Sequence, residues 1–179
     1  PYYLGSMDKI KRKDIVKTPT ILTKWTSKFK GQYTISEKLD GISILMMIDL
    51  NKNVIHLYTR GNGTKGRDVS DVLQLLDVST ILKNLKNKKI NNKNIKKLDV
   101  RGELIISKKT FENYKHKFEN ARNMIGGLVN HKDINKTGLK KNELQFIAFE
   151  LIEPRLTSSE QFNVLKQFGF TLPQYEINI

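Results

Sequence analysis

Two strand-like runs joined by a three-residue turn constrain this chain more than any other feature. Ile42-Ser43-Ile44-Leu45-Met46-Met47-Ile48 is an apolar run of strand length, and Val54-Ile55-His56-Leu57-Tyr58-Thr59 alternates toward Arg60. Runs rich in β-branched and aromatic residues and bounded by turn residues read as strands. Asn51-Lys52-Asn53 between them reads as a hairpin turn. Tyr33-Thr34-Ile35 just upstream reads as a third strand. Strands joined this tightly pair antiparallel, because a parallel pair needs a crossover of roughly a dozen residues.

The rest of the chain adds helices and two more strands. Lys24 to Lys30, around Trp25 and Phe29, predicts a short helix. A second is expected from Ser70 and Asp71 as caps, with Val72, Leu73, Leu75 and Leu76 inward. Lys83 to Lys97 is Lys/Asn-rich and reads as a solvated helix end plus loop. Leu98 to Ile106 and Leu144 to Ile152 predict strands. Phe111, Tyr114 and Phe118 recur at helical spacing within Lys109 to Phe118, and a short helix is expected near Arg122. Ser158 to Phe168 reads as a helix capped by Ser158 or Ser159 and ended by Gly169. The pattern is α+β, with mostly antiparallel sheets flanked by helices, and not an alternating βαβ order.

Composition narrows the chemistry. The 179 residues suit one domain, and the absence of cysteine excludes a disulfide scaffold, a thiolate metal site and a cysteine nucleophile. No apolar stretch approaches the ~20 residues of a membrane span, so no membrane partner is expected. Pro1-Tyr2-Tyr3-Leu4-Gly5-Ser6 lacks the basic and apolar regions of a signal peptide and an initiator Met. A segment or processed product of an intracellular protein is therefore expected, in cytoplasm or nucleus, or at the replication site if the source is viral. The net charge of +14 favours a polyanion such as nucleic acid. Abundant Lys, Asn and Ile also fit an AT-rich genome, a hint of a large DNA virus by composition alone.

Lys38-Leu39-Asp40-Gly41 sits between two of the strand-like runs. A lysine, an aspartate two residues on and a turn glycine suit attack of an amine on a nucleotide phosphate. A lysine of pKa ~10.4 is only ~0.04% neutral at pH 7, and making it mostly neutral removes roughly 4 to 5 kcal/mol of ammonium preference. Burial or nearby cations must supply that. Arg60, Arg101 and Arg122 are the candidate cations.

Several further segments share the order and spacing of one family. Thr59-Arg60-Gly61-Asn62-Gly63-Thr64-Lys65-Gly66-Arg67-Asp68-Val69 is similar to T-R-G-D-G-x-x-G-E-D-V, and Val100-Arg101-Gly102-Glu103 matches V-R-G-E. Ala121-Arg122-Asn123-Met124-Ile125-Gly126-Gly127-Leu128 is like P-R-N-x-x-x-G-x-L. Phe146-Ile147-Ala148-Phe149 is like F-F-A-Y, and Leu4-Gly5-Ser6-Met7-Asp8 is like M-L-S-L-D. With the K-x-D-G lysine motif, the chain resembles the adenylation (nucleotidyltransferase) domain of polynucleotide ligases, and among them the NAD-dependent DNA ligases.

The resemblance implies that fold, with Lys38 as nucleophile and Asp40 as its catalytic companion. It implies nucleotide contacts from Ser6, Met7, Glu37, Arg60, Glu103, Arg122 and Phe149, the last as a ring stacked on adenine. No residue is assigned as a metal ligand. NAD is the implied AMP donor, Mg2+ the implied metal and nicked duplex DNA the implied partner of a monomer. Three departures stand out. Ser36 occupies the place where the family often has a glutamate, with Glu37 one residue later, and one residue on a strand reverses the side chain. Asn62 and Arg67 replace acids. The family's G-V-V-x-K strand and a further lysine do not occur before Ile179, so residues 1–179 are expected to be a single, partial adenylation domain whose self-adenylation in isolation is weak or absent. Two rival readings stand beside this one. One is an ATP-dependent DNA or RNA ligase; the other is a non-catalytic nucleic-acid-binding module that keeps the fold.

Overall fold

The computed structural model describes residues 3–5, 9–86, 89–90, 93–131 and 133–177. Two helices come first, α1 (Arg12–Lys17) and α2 (Thr20–Lys28), then strand β1 (Thr34–Ser36). Strands β2 (Ile42–Asp49) and β3 (Val54–Thr59) form the expected hairpin, with Asn53 in the turn at φ 55°. A 3-10 turn at Ser70–Leu75 leads to α3 (Ser79–Leu85), the two-residue strands β4 (Lys89–Ile90) and β5 (Lys93–Asn94), and the long strand β6 (Lys97–Ile106). Helices α4 (Lys108–Glu112) and α5 (Ala121–Asn130) follow, then a 3-10 turn at Ile134–Thr137, β7 (Leu144–Glu153), α6 (Ser158–Gln167) and β8 (Tyr175–Ile177).

The main sheet is antiparallel, ordered β3-β2-β6-β7. Its two faces follow from strand alternation. Ile44, Met46 and Ile48 of β2, Leu57 of β3, and Val100, Leu104 and Ile106 of β6 are buried in the core. Met124, Ile125, Leu128 and Val129 of α5 pack onto that face. Each such side chain taken out of water contributes roughly 1.5–3 kcal/mol, so this layer carries the fold. The intervening residues Arg101, Glu103 and Ile105 fall on the other face and are only half-buried. The sheet therefore separates an apolar side from a side that carries charge.

Strand β1 does not continue the hairpin as the sequence suggested. It pairs antiparallel with β8 in a separate two-stranded sheet, Thr34 opposite Ile177 and Ser36 opposite Tyr175. Residues 37–41, which contain the lysine motif, carry the chain from one sheet to the other. Five further details also differ. The helix expected at Lys24 to Lys30 is α2, which begins at Thr20, and the segment from Ser70 is a 3-10 turn led by Asp68, whose carboxylate accepts from Ser70 N at 2.8 Å and Ser70 Oγ at 2.6 Å. The Lys/Asn-rich segment contains the β4–β5 ladder, with Ile90 buried. α4 stops at Glu112, although Phe111, Tyr114 and Phe118 all pack against the core. Thr157, not a serine, caps α6 in a reciprocal box with Glu160.

Candidate active site

Lys38 lies in the crossing between the two sheets, held from both ends. Upstream, Glu37 N donates to Gln174 O at 3.0 Å and Gln174 N donates to Glu37 Oε1 at 3.2 Å. The Glu37 carboxylate is thus engaged with the strand-β8 approach. Downstream, Gly41 is buried where β2 meets β6, and a Cβ there would sit 2.0 Å from Leu104 O. No side chain fits, so the glycine of the motif is fixed by packing. The Gly41 amide donates to the Glu103 carboxylate, which lies on the charged face beside Ser43 in the strand register.

Four of the sequence-derived residues meet at this junction. Asp40 Oδ1 and Arg122 Nη1 are 3.2 Å apart. Arg122 stands in the first turn of α5, whose start is fixed by Asn120: its side chain accepts from Asn123 N at 2.7 Å. Arg122, Lys38 and Arg101 all act electrostatically on Glu103. Burial is the larger influence, and it pushes the Glu103 carboxyl above its ordinary value. Lys38 itself is exposed, and so is Asp40, at 81% of its side chain. Of the two features expected around Lys38, burial or nearby cations, burial is not found, and Arg122 and Arg101 share Glu103 with it. Two concavities of about 450 and 210 Å³ lie elsewhere, one between Leu50, Leu82 and Leu85, the other at Met46, Leu76 and Phe146.

Arg60 follows β3 and is half-buried, its amide donating to Ser43 O at 3.3 Å. This places it beside the start of β2. The glycine-spaced loop after it closes on itself: Gly61 has φ 54°, and a Cβ there would meet Lys65 O at 1.8 Å. Asn62 Oδ1 accepts from the amides of Thr64 at 3.1 Å and Lys65 at 2.9 Å. Arg67, read from sequence as extra charge on this loop, is engaged internally. Its guanidinium donates to Val129 O and, at 2.8 Å, to Asn130 Oδ1, tying the loop to the C-terminal end of α5.

Phe149 is half-buried on β7, with the Arg101 guanidinium 5.6 Å from its ring centroid. Arg101 is the residue the sequence underrated. Its side chain, 11% exposed, reaches Glu150 Oε2 at 3.3 Å, Gly5 O at 3.1 Å and Ser43 Oγ at 3.5 Å. The signal available was its place two residues before Glu103, hence on the same face of one strand. Ser6 and Met7 lie outside the described residues.

Among the described residues no helix is long and apolar enough to cross a membrane, and no three His, Asp or Glu side chains gather as a metal cluster. The chain is 38% identical to a DNA ligase of Acanthamoeba polyphaga mimivirus over 181 aligned residues, covering 99% of this chain and 26% of the relative. It is 29% identical to a DNA ligase of Brachyspira hyodysenteriae, covering 88% of this chain and 24% of that one. The chain thus spans about a quarter of the length of these curated relatives. An archaeal ATP-dependent RNA ligase shares the fold with TM-score 0.50 at 17% identity, over 97% of this chain and 38% of that one. Residues 6–178 match the family described as the NAD-dependent DNA ligase adenylation domain. A match of that extent, with the lysine junction in place, settles the family: this chain belongs to the NAD-dependent DNA ligase adenylation domains.

Proposed function

We propose that this chain carries the AMP-transfer site of an NAD-consuming DNA ligase. The observation that supports it is the convergence of Lys38, Asp40, Glu103 and Arg122 where β2, β6 and α5 meet. In the first step the neutral Lys38 Nζ attacks the α-phosphorus of NAD. The N–P bond forms as the P–O bond to nicotinamide mononucleotide breaks, and that group leaves with the electron pair while Nζ loses its proton. Arg122 and Arg60 present guanidinium forks suited to phosphate oxygens. Phe149 has the Arg101 guanidinium over its ring, and its other face is the one offered to adenine. AMP then passes to a DNA 5′-phosphate, and the adjacent 3′-hydroxyl displaces it to seal the nick.

The carboxylates also fit Mg2+, which binds through one or two carboxylates together with substrate phosphates. Asp40 and Glu103 are the two beside Lys38. A bound divalent metal would supply charge neutralisation at the phosphate. Nicked duplex DNA is the partner this reading implies, for a monomer in an intracellular compartment.

The test is adduct formation. The full-length protein is incubated with NAD or ATP labelled at the α-phosphate, and alkali-stable, acid-labile label, the signature of a P–N bond, is mapped by peptide sequencing. Label from NAD on Lys38 is the expected result. Label from ATP and not from NAD would move the chain to the ATP-dependent ligases, and no label from either would leave a nucleic-acid-binding module.

A further inference from the structure

The net charge is segregated along the chain. Residues 9–30 hold eight basic side chains and one acidic, and residues 83–97 hold seven basic and no acidic. All other residues together carry 17 of each sign, so these two segments account for the whole +14.

The first segment forms α1, α2 and the turn beyond them. α2 buries no residue. Leu22, Trp25 and Phe29 are 43%, 37% and 46% exposed, at spacings of three and four that put them on one side. The Trp25 ring lies 5.4 Å from Phe29 and 5.5 Å from Tyr33, centroid to centroid. Lys24 and Lys28 run beside this row, with Lys28 Nζ 5.1 Å from the Phe29 centroid. An exposed aromatic row edged by ammonium groups is the combination that meets a sugar–phosphate backbone: apolar area for the deoxyribose, charge for the phosphates.

Position decides which basic segment serves the site. Lys97 pairs in register with Asp49, seven residues along β2 from Ile42, so the second segment ends roughly 23 Å from the lysine end of the sheet at ~3.3 Å per residue. Tyr33, stacked on Trp25, is five residues from Lys38, at most ~18 Å even if fully extended. We propose that the α1–α2 hairpin, with Lys30, is a docking surface for the backbone of duplex DNA that brings a phosphorylated end toward Lys38. This rests on the ligase reading above. Charge complementarity selects the occupant, a polyanion for a surface that holds half the net charge in 22 residues.

Trp25 is the chain's only tryptophan, so its emission reports on this surface alone. Titration of the 179-residue protein with a short nicked duplex should quench Trp25, with steep salt dependence. Lys24→Glu/Lys28→Glu/Lys30→Glu should reduce the log–log salt slope by about 2.7, three contacts at about 0.9 each. The matched Lys86→Glu/Lys89→Glu/Lys96→Glu variant should keep nearly the parent slope. Emission indifferent to DNA would overturn the proposal, as would slope loss in the second variant only, or a response to anionic phospholipid vesicles and not to DNA. AMP-adduct formation by the first variant should equal the parent's, because that step uses no DNA. A full-length parent that forms no adduct from NAD or ATP, while the 179-residue chain shows the quenching and the slope loss, would retract the ligase reading and leave the docking surface standing.

Discussion

In the reaction proposed above Lys38 attacks phosphorus through its amine, so substitution of that one side chain is the direct test. Lys38→Ala should abolish the AMP adduct and leave stability within ~0.5 kcal/mol of the parent, since an exposed side chain away from packing costs little to remove. Lys38→Arg should fail equally, because guanidinium is not deprotonated in proteins. Labelling and thermal melts check both. Glu103 has the opposite relation to stability. Burial holds its carboxyl above the ordinary value of 4.5, outweighing Arg122, the Gly41 amide, Lys38 and Arg101. The native state thus favours the protonated form, a contribution present below the unfolded-state value and lost as pH rises through the folded one. Glu103→Gln should therefore be more stable than the parent near about pH 7, with the difference shrinking toward about pH 4, while adduct formation is lost. Urea midpoints at the two pH values measure it, and a variant less stable at neutral pH would refute it. The motif residues were legible because each chemical demand is local: a lysine, a carboxylate two residues on, arginines in short recognisable runs. The partners were not. Asp40 and Arg122 are 82 residues apart, and Arg101 and Gly5 are 96 apart. Nothing in a local pattern states such a pairing.

Among the elements, β2, β3, β6 and β7 were legible because alternation, or an apolar run of strand length, is itself the physical cause of a strand with one buried face. β1 was read as a strand but given the wrong neighbour. Its pairing with β8 closes a chain of about 140 residues, and three-residue strands carry too few side chains to announce a partner. The shortened α4 and the 3-10 turn at Ser70 reflect weak helix signals settled by tertiary packing and by the Asp68 side chain. Two substitutions test how elements hold the site. Gly41→Ala places a methyl against Leu104 O, so β2 and β6 must separate beside Glu103. A loss of roughly 1–3 kcal/mol is expected, the usual cost of overpacking, together with reduced adduct formation. Thr157→Ala removes the cap and the box with Glu160 at the start of α6 and should cost about 1 kcal/mol. Because α6 starts away from Lys38, the adduct should form at the parent's rate, which a labelling time course would show.

At the scale of the molecule, a nearly neutral body carries two basic segments, one by the lysine motif and one by the distant turn of the β2–β3 hairpin. One charge distribution should then give two salt responses of opposite sign. At about 10 mM salt the Debye length is ~30 Å, long enough for charges in and between the segments to repel; at about 150 mM it is ~8 Å. Raising salt should therefore stabilise the fold. If the relief is about 1 kcal/mol, the melting temperature rises by roughly 2–4 °C for a chain of this size. DNA binding should move the other way, because each neutralised phosphate releases counterions. Four or five contacts give a slope of roughly −4, and affinity falls by about 200-fold between 50 and 200 mM. A slope nearer −1 would mean that the lysines act as dispersed surface charge, and a melting temperature that falls with salt would mean that net attraction, not repulsion, governs the folded state. Lys38→Ala separates the active site from the docking surface in the same titration. Lys38 is exposed, so if it binds backbone phosphate its loss removes one contact, about 0.9 of slope. If it is reserved for the nucleotide, the slope stays at the parent value, and that unchanged slope is the expected outcome.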